Sequence, residues 1–188
     1  MNFNKHYSLE GLHAPFGASK SSWLRYDEGK LAEAYKGLKA KEMGTRLHEW
    51  ACETIKLGIK QKSTTKALNR YVNDAIGFRM EPEVVLYYSD HFFGTADTIS
   101  FRNKVLRIHD YKSGKSGHLE QLRVYAALFC LEYDVNPKDI TTILQLYKEE
   151  PMEGEQLGEE SDPEDILSIM ELIRKFDKVL NKIDKGEM

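Results

Sequence analysis

RIHDYKSGKSGH, residues 107–118, decides how this chain is read. Its GKS resembles the tail of a phosphate-binding P-loop, and the D-x-K just before it is a pattern of metal-assisted phosphate chemistry. A P-loop needs a glycine five positions before Gly114, because its backbone N–H groups must wrap the phosphates. His109 stands there instead. The β-branched and aromatic run VLRIHDYK (105–112) reads as a strand passing straight through that position. No glycine-rich cradle exists, and Asp110 and Lys112 are left at the end of a strand.

Working outward, FGTADTISF (93–101) reads as the preceding strand, joined by a two-residue turn at Asn103-Lys104. Counting back from that turn opposes Phe101 to Leu106, Ile99 to Ile108, and Asp97 to Asp110 on one face. Two carboxylates directly opposed repel, and apolar neighbours raise the penalty. Three compensations are open: Lys112 on the same face, a hard divalent cation, or a plain Asp–Lys–Asp ion cluster at a sheet end.

EVVLYY (83–88) and ITTILQLY (140–147) read as further strands. Helical periodicity marks residues 39–60, 63–78 (opening on a Ser/Thr N-cap) and Leu119 to Tyr133. Ser19 begins a stretch of capping residues followed by helix formers. KEEPMEGEQLGEESDPED is a polar acidic loop, and Asp162-Pro163 caps a closing helix striped by Ile166, Met170, Ile173, Phe176 and Leu180. The pattern predicts an α/β fold with a central mixed β-sheet flanked by helices. We expect one domain over 1–188, with its core at about 13–148, an acidic loop at 149–162 and a C-terminal helix at 163–185.

Composition fits this reading. The 188 residues are 41% hydrophobic and 30% charged, with a net charge of −3. The charge is uneven: residues 1–80 hold 14 Lys/Arg against 8 Asp/Glu, whereas residues 149–188 hold 5 against 13. A basic first half suits contact with a polyanion on one face, and the acidic stretch is expected to lie off that path. No apolar run reaches the length of a membrane span, and MNFNKHYSLEGLHAP has no signal-like stretch. The expected location is cytoplasmic. Cys52 and Cys130 read as small buried hydrophobes.

Four motifs stand in order: G-x-x-x-H ending at His48, G-T-A-D ending at Asp97, D-Y-K from Asp110 to Lys112, and Q-x-x-x-Y from Gln121 to Tyr125. Together with SKSSWLRY near the start, they resemble the RecB-like branch of the PD-(D/E)xK nuclease superfamily over about residues 13 to 148. Phage and CRISPR-associated exonucleases share that pattern. The resemblance implies a restriction-endonuclease-like core and a metal-dependent DNA nuclease, an exonuclease in phage or mobile-element recombination, repair or processing. It implies that His48, Asp97, Asp110 and the Tyr111 carbonyl hold Mg²⁺ or Mn²⁺. Lys112 would stabilise developing charge, while Gln121 and Tyr125 position the nucleotide and phosphate backbone. Glu83 matches an outer acidic position of the family.

Many relatives carry four cysteines for an iron–sulfur cluster; with two, this chain resembles the cluster-free members. The implied partners are DNA and a recombination or replication protein, with no membrane. The alternatives are a catalytically idle module of the same fold that binds DNA or protein, and a metal-stabilised structural domain.

Overall fold

The computed structural model describes residues 7–9, 14–114 and 117–187. Lys115 and Ser116 of the GKS stretch, and His13 at the start of the family-like region, lie outside them. The chain divides into two compact units, Met1–Arg46 and Leu47–Met188.

A 3-10 helix over Ala18–Arg25 lies in the first unit, and helix α1, Glu28–Lys56, begins there and ends in the second. The serines expected to cap a helix here lie inside the 3-10 turn. The α-helix starts instead where Asp27 Oδ1 accepts the N–H of Lys30 at 2.7 Å. A short carboxylate satisfies a first-turn donor and complements the positive end of the helix.

The second unit carries the sheet. After α2 (Ala67–Gly77) come β1 (Glu81–Ser89), β2 (Phe92–Arg102) and β3 (Val105–Lys112). They are followed by α3 (Leu119–Glu132), β4 (Thr141–Lys148), β5 (Gly158–Glu160) and α4 (Pro163–Asp184). The five strands form one sheet in the order β1-β2-β3-β4-β5. The first three are mutually antiparallel, β3 and β4 are parallel, and β5 returns antiparallel on β4. The parallel pair needs a crossover, which α3 supplies. The fold is α/β with a mixed sheet flanked by helices, as the alternating periodicities predict.

Two cores sandwich the sheet. Leu86, Ile99, Leu106, Ile108, Leu144 and Leu146 pack under α3 and α4. On the other face Tyr71 and Val72 of α2 and Ala51 and Ile55 of α1 enclose Tyr111 and Tyr147. Cys52 and Cys130 are buried free thiols, and burial pushes the Cys130 thiol up to about 11. Among the described residues no helix is long and apolar enough to cross a membrane.

Three local expectations are corrected. Helix α2 begins at Ala67, and its N-cap Lys66 makes no side-chain cap. The Glu149 carboxylate does that work from across the chain, accepting the N–H of Ala67 at 3.2 Å and of Leu68 at 3.1 Å. The expected acidic loop is partly structured, since it contributes β5, and Glu159 there binds Arg123 through two oxygens at 2.7 and 2.8 Å. Of the expected stripe on α4, Ile166, Met170 and Ile173 are buried while Phe176 is exposed. The Asp162 cap stands as expected, its side chain accepting the N–H of Glu164.

Candidate functional site

The β2–β3 turn sets the site. Asn103 and Lys104 have φ of 51° and 61°, the left-handed pair that a two-residue type I′ hairpin requires. The counted register follows: Arg102 pairs with Val105, Phe101 with Leu106, Ile99 with Ile108 and Thr98 with His109. The ladder stops there, one position short of Asp97 and Asp110. Asp97 Oδ2 instead accepts the backbone N–H of Tyr111 at 3.1 Å.

Contrary to simple alternation, the two carboxylates therefore do not share one face. Ala96 and Ile99 both join the core under α3, whereas Thr98 bonds to Tyr71 of α2 and Asp97 turns to His48 of α1. The pleat breaks between them. Its cause lies across the ladder: β1 and β2 pair at Pro82↔Thr98 and at Val84↔Ala96, with no pair between. Glu83, the residue skipped, has φ of 56°. A left-handed conformation at a non-glycine residue inside a strand is uncommon and re-aims the side chains on both strands.

Beside that distortion lie three side chains able to ligate a metal ion. One ligand atom each from His48, Glu83 and Asp97 lies within 4.8 Å of the other two. His48 Nδ1 is 3.2 Å from Asp97 Oδ2. The Asp97 hydrogen bond raises the His48 pKa against the opposing pull of burial. Burial would push Asp97 up, but His48, the Tyr111 N–H and Lys112 together hold its carboxyl below the usual range.

Asp110 follows the regular alternation of β3 onto the α3 side and is buried. Burial, and then the charge on Asp97, push its carboxyl up to about 6. Lys112 Nζ donates to Asp110 Oδ1 at 2.9 Å and lies 2.8 Å from Oδ2. Only the first contact has hydrogen-bond geometry, so Oδ2 is a buried oxygen without a hydrogen bond among the described residues. Burial lowers the Lys112 pKa, yet Asp110 outweighs it and the net direction is upward. Lys112 is thus a cation across the neutral range.

Two glycines make room for these side chains. A Cβ on Gly94, the first residue of G-T-A-D, would sit 2.9 Å from Tyr125 Cε1. A Cβ on Gly117 would meet Lys112 Cγ at 2.8 Å, and Gly117 also has φ of +105°. Gln121 Nε2 donates to the Tyr125 hydroxyl at 3.0 Å, one turn apart on α3. Burial raises the Tyr125 pKa, with Asp110 and Asp97 adding to it and Lys112 opposing. Tyr125 thus belongs to the same electrostatic neighbourhood.

The structure therefore gathers His48, Asp97, Asp110, Lys112, Gln121 and Tyr125 around the β2–β3 end. Tyr111 enters through its N–H, while its ring packs between His48 and Tyr71 and its hydroxyl donates to Glu149 at 3.3 Å. Glu83 lies with His48 and Asp97 in a cluster that could hold a metal ion. The family resemblance singles it out in the sequence, and the β1–β2 hairpin sets it beside Asp97, between the pairs Pro82↔Thr98 and Val84↔Ala96. Lys148 is not singled out by the sequence. It pairs with Lys112 in the parallel register, is buried, and forms an ion pair with Glu155.

No protein-family model, curated protein or solved structure matches this chain.

Proposed function

We propose that this chain is a metal-dependent DNA nuclease of the RecB-like PD-(D/E)xK type, acting by preference on free DNA ends. The observation that carries the reading is the placement of a His–Glu–Asp ligand cluster beside a buried Asp–Lys pair at one strand end.

The donor set fits a small hard cation. Two carboxylates and an imidazole suit Mg²⁺ or Mn²⁺, which prefer oxygen with occasional nitrogen. The Asp110 oxygen without a hydrogen bond is a further available donor. His48, Glu83 and Asp97 would hold the ion, with Asp110 next to them. A bound ion supplies Lewis acidity toward a phosphate oxygen and a more acidic water.

The remaining work falls to the chain itself. Lys112, protonated and pinned by Asp110, offers fixed positive charge to the oxygens of the transferring phosphorus. A general-base role would need it neutral, against the upward direction of its pKa. Asp110 keeps Lys112 aimed, and Gln121 and Tyr125 present an amide and a hydroxyl that can orient a nucleotide and its phosphate. Lys and Arg residues of the basic first half supply contacts that hold phosphate without reading sequence. A recombination or replication protein is the natural companion of such an activity.

A second reading has its own observation. His48 with Asp97, and Lys112 with Asp110, already balance much of the site's charge without an ion. That favours an idle module of this fold, binding DNA or protein, or a metal-stabilised structural domain. One experiment separates them. The purified protein with Mg²⁺ or Mn²⁺ is incubated with linear and covalently closed circular DNA, single- and double-stranded. Linear duplex is expected to fall to small products while closed circles persist, and EDTA stops the reaction. Folded protein inert on all four forms moves the conclusion to the second reading.

A further inference from the structure

Helix α4 presents two apolar stripes. The first, Ile166, Met170 and Ile173, is buried in the core beside α3. The second consists of Leu172, Phe176, Val179 and Ile183, which are 46%, 46%, 37% and 50% exposed. Their spacing of four, three and four is the alternation by which one helix packs along another. At 1.5 Å per residue the seam runs roughly 16 Å. Scattered exposed apolar residues need no explanation, but a periodic row of four on a helix already anchored by another stripe marks a contact surface.

Charge defines the occupant. Lys175 lies one turn from both Leu172 and Val179, and Lys182 one turn from Val179, so these two lysines border the seam. Lys178 and Glu171 stand one step behind them, so the lysines keep the excess on this border. None of the three lysines has an acidic partner among the described residues. The opposite border is Ile173 and Leu180, toward the molecule's own core, and beyond it Asp177 and Asp184 hold His91 at 3.2 and 2.8 Å.

We propose that this seam docks an acidic amphipathic helix of a protein partner. The partner's apolar face lies on Leu172, Phe176, Val179 and Ile183, and its carboxylates meet Lys175 and Lys182. A second copy of α4 does not fit. Paired antiparallel it sets lysine border against lysine border, and paired parallel it sets the lysines against Ile173 and Leu180. An anionic membrane does not fit either. Glu164, Asp165, Glu171, Asp177 and Asp184 of α4 outnumber Arg174, Lys175, Lys178 and Lys182, so the helix has no basic excess. The inference does not depend on the proposed nuclease activity.

The test uses the full-length chain and two fluorescent synthetic helices of about 20 residues, long enough to be helical in water. Both carry leucine at seam positions; one carries glutamate beside them, the other lysine. Anisotropy titration is expected to show saturable binding of the glutamate helix, at least tenfold tighter than the lysine helix. Val179→Glu or Phe176→Ser should each weaken it tenfold or more, with circular dichroism and melting unchanged because both side chains are exposed. Lys175→Glu with Lys182→Glu should reverse the preference between the two peptides. Absence of binding, equal binding of both peptides, or undiminished binding by Val179→Glu overturns the proposal. Self-association in sedimentation that Val179→Glu abolishes overturns it in favour of a second copy. Binding to phosphatidylserine vesicles that Val179→Glu abolishes overturns it in favour of a membrane surface.

Discussion

Gly94 and Tyr125 occupy one space: the hydrogen of the glycine faces the tyrosine ring, and a Cβ there would stand 2.9 Å from Cε1. The glycine of G-T-A-D is thus a packing requirement for the tyrosine of Q-x-x-x-Y, linking two motifs distant in sequence. Gly94→Ala must push the ring away, since the strand backbone is held by its pairing with Leu86 of β1. Overpacking of this kind costs about 1–3 kcal/mol. Urea denaturation should show that loss in Gly94→Ala, and little of it when Tyr125→Ala is already present. Additive losses in the double variant would mean that the two residues do not meet.

Glu149 is expected to behave unlike its neighbours in the acidic stretch. It caps α2 through two backbone N–H groups and accepts the Tyr111 hydroxyl. Loss of a helix cap costs about 0.5–2 kcal/mol. Glu149→Ala should therefore lower stability by that amount, whereas exposed Glu150→Ala should stay within about 0.5 kcal/mol. Equal effects in thermal melts of the two variants would remove the cap from the account.

How far the site is legible from sequence depends on the range of the force that places each residue. The β2–β3 hairpin is local, and the two-residue turn with its flanking apolar pairs carries the register onto Thr98 and His109. What lies beyond that pair is not local. The Asp97 side chain replaces a ladder bond, and the twist at Glu83 comes from a second strand. Alternation alone therefore misplaces Asp97 while placing Asp110 correctly. The capping of α2 by Glu149 joins residues 82 apart, and no periodicity in either segment announces it. β5 is three residues of Gly-Glu-Glu, a composition that reads as loop until β4 is there to pair with it.

His91 gives the closing helix a pH dependence. It sits between Asp177 and Asp184 of α4, and their hydrogen bonds raise its pKa above the ordinary 6.5. The folded state therefore holds the proton more tightly than the unfolded state. That stabilisation is complete below about pH 6.5 and is lost as pH rises through the folded-state value. Amides of the last turns of α4 should exchange faster, after correction for intrinsic rates, at pH 8.5 than at pH 6. His91→Gln should flatten the dependence. A wild-type profile with the opposite slope would show that the imidazole does not bind α4 as a cation.

Under the proposed function, metal binding and chemistry are expected to separate at the D-x-K strand. Asp97 accepts from His48 and Tyr111 and lies beside Glu83, so Asp97→Ala removes a proposed ligand and the organiser of the cluster. It should weaken Mn²⁺ binding and abolish cleavage together, and Glu83→Gln should weaken binding to a lesser degree. Lys112 is a cation beside Asp110 and cannot ligate. Lys112→Ala should leave Mn²⁺ affinity intact, or tighten it by freeing Asp110, while single-turnover cleavage falls by about 10²–10³, the usual loss for one group aimed at transition-state charge. The variant leaves the buried Asp110 carboxylate without its cation, so its melting temperature should drop most at neutral pH and least in acid, where Asp110 takes a proton. Calorimetric Mn²⁺ titration and cleavage on the same variants decide the roles. Near-normal cleavage by Lys112→Ala, or undiminished affinity in Asp97→Ala, would reverse them.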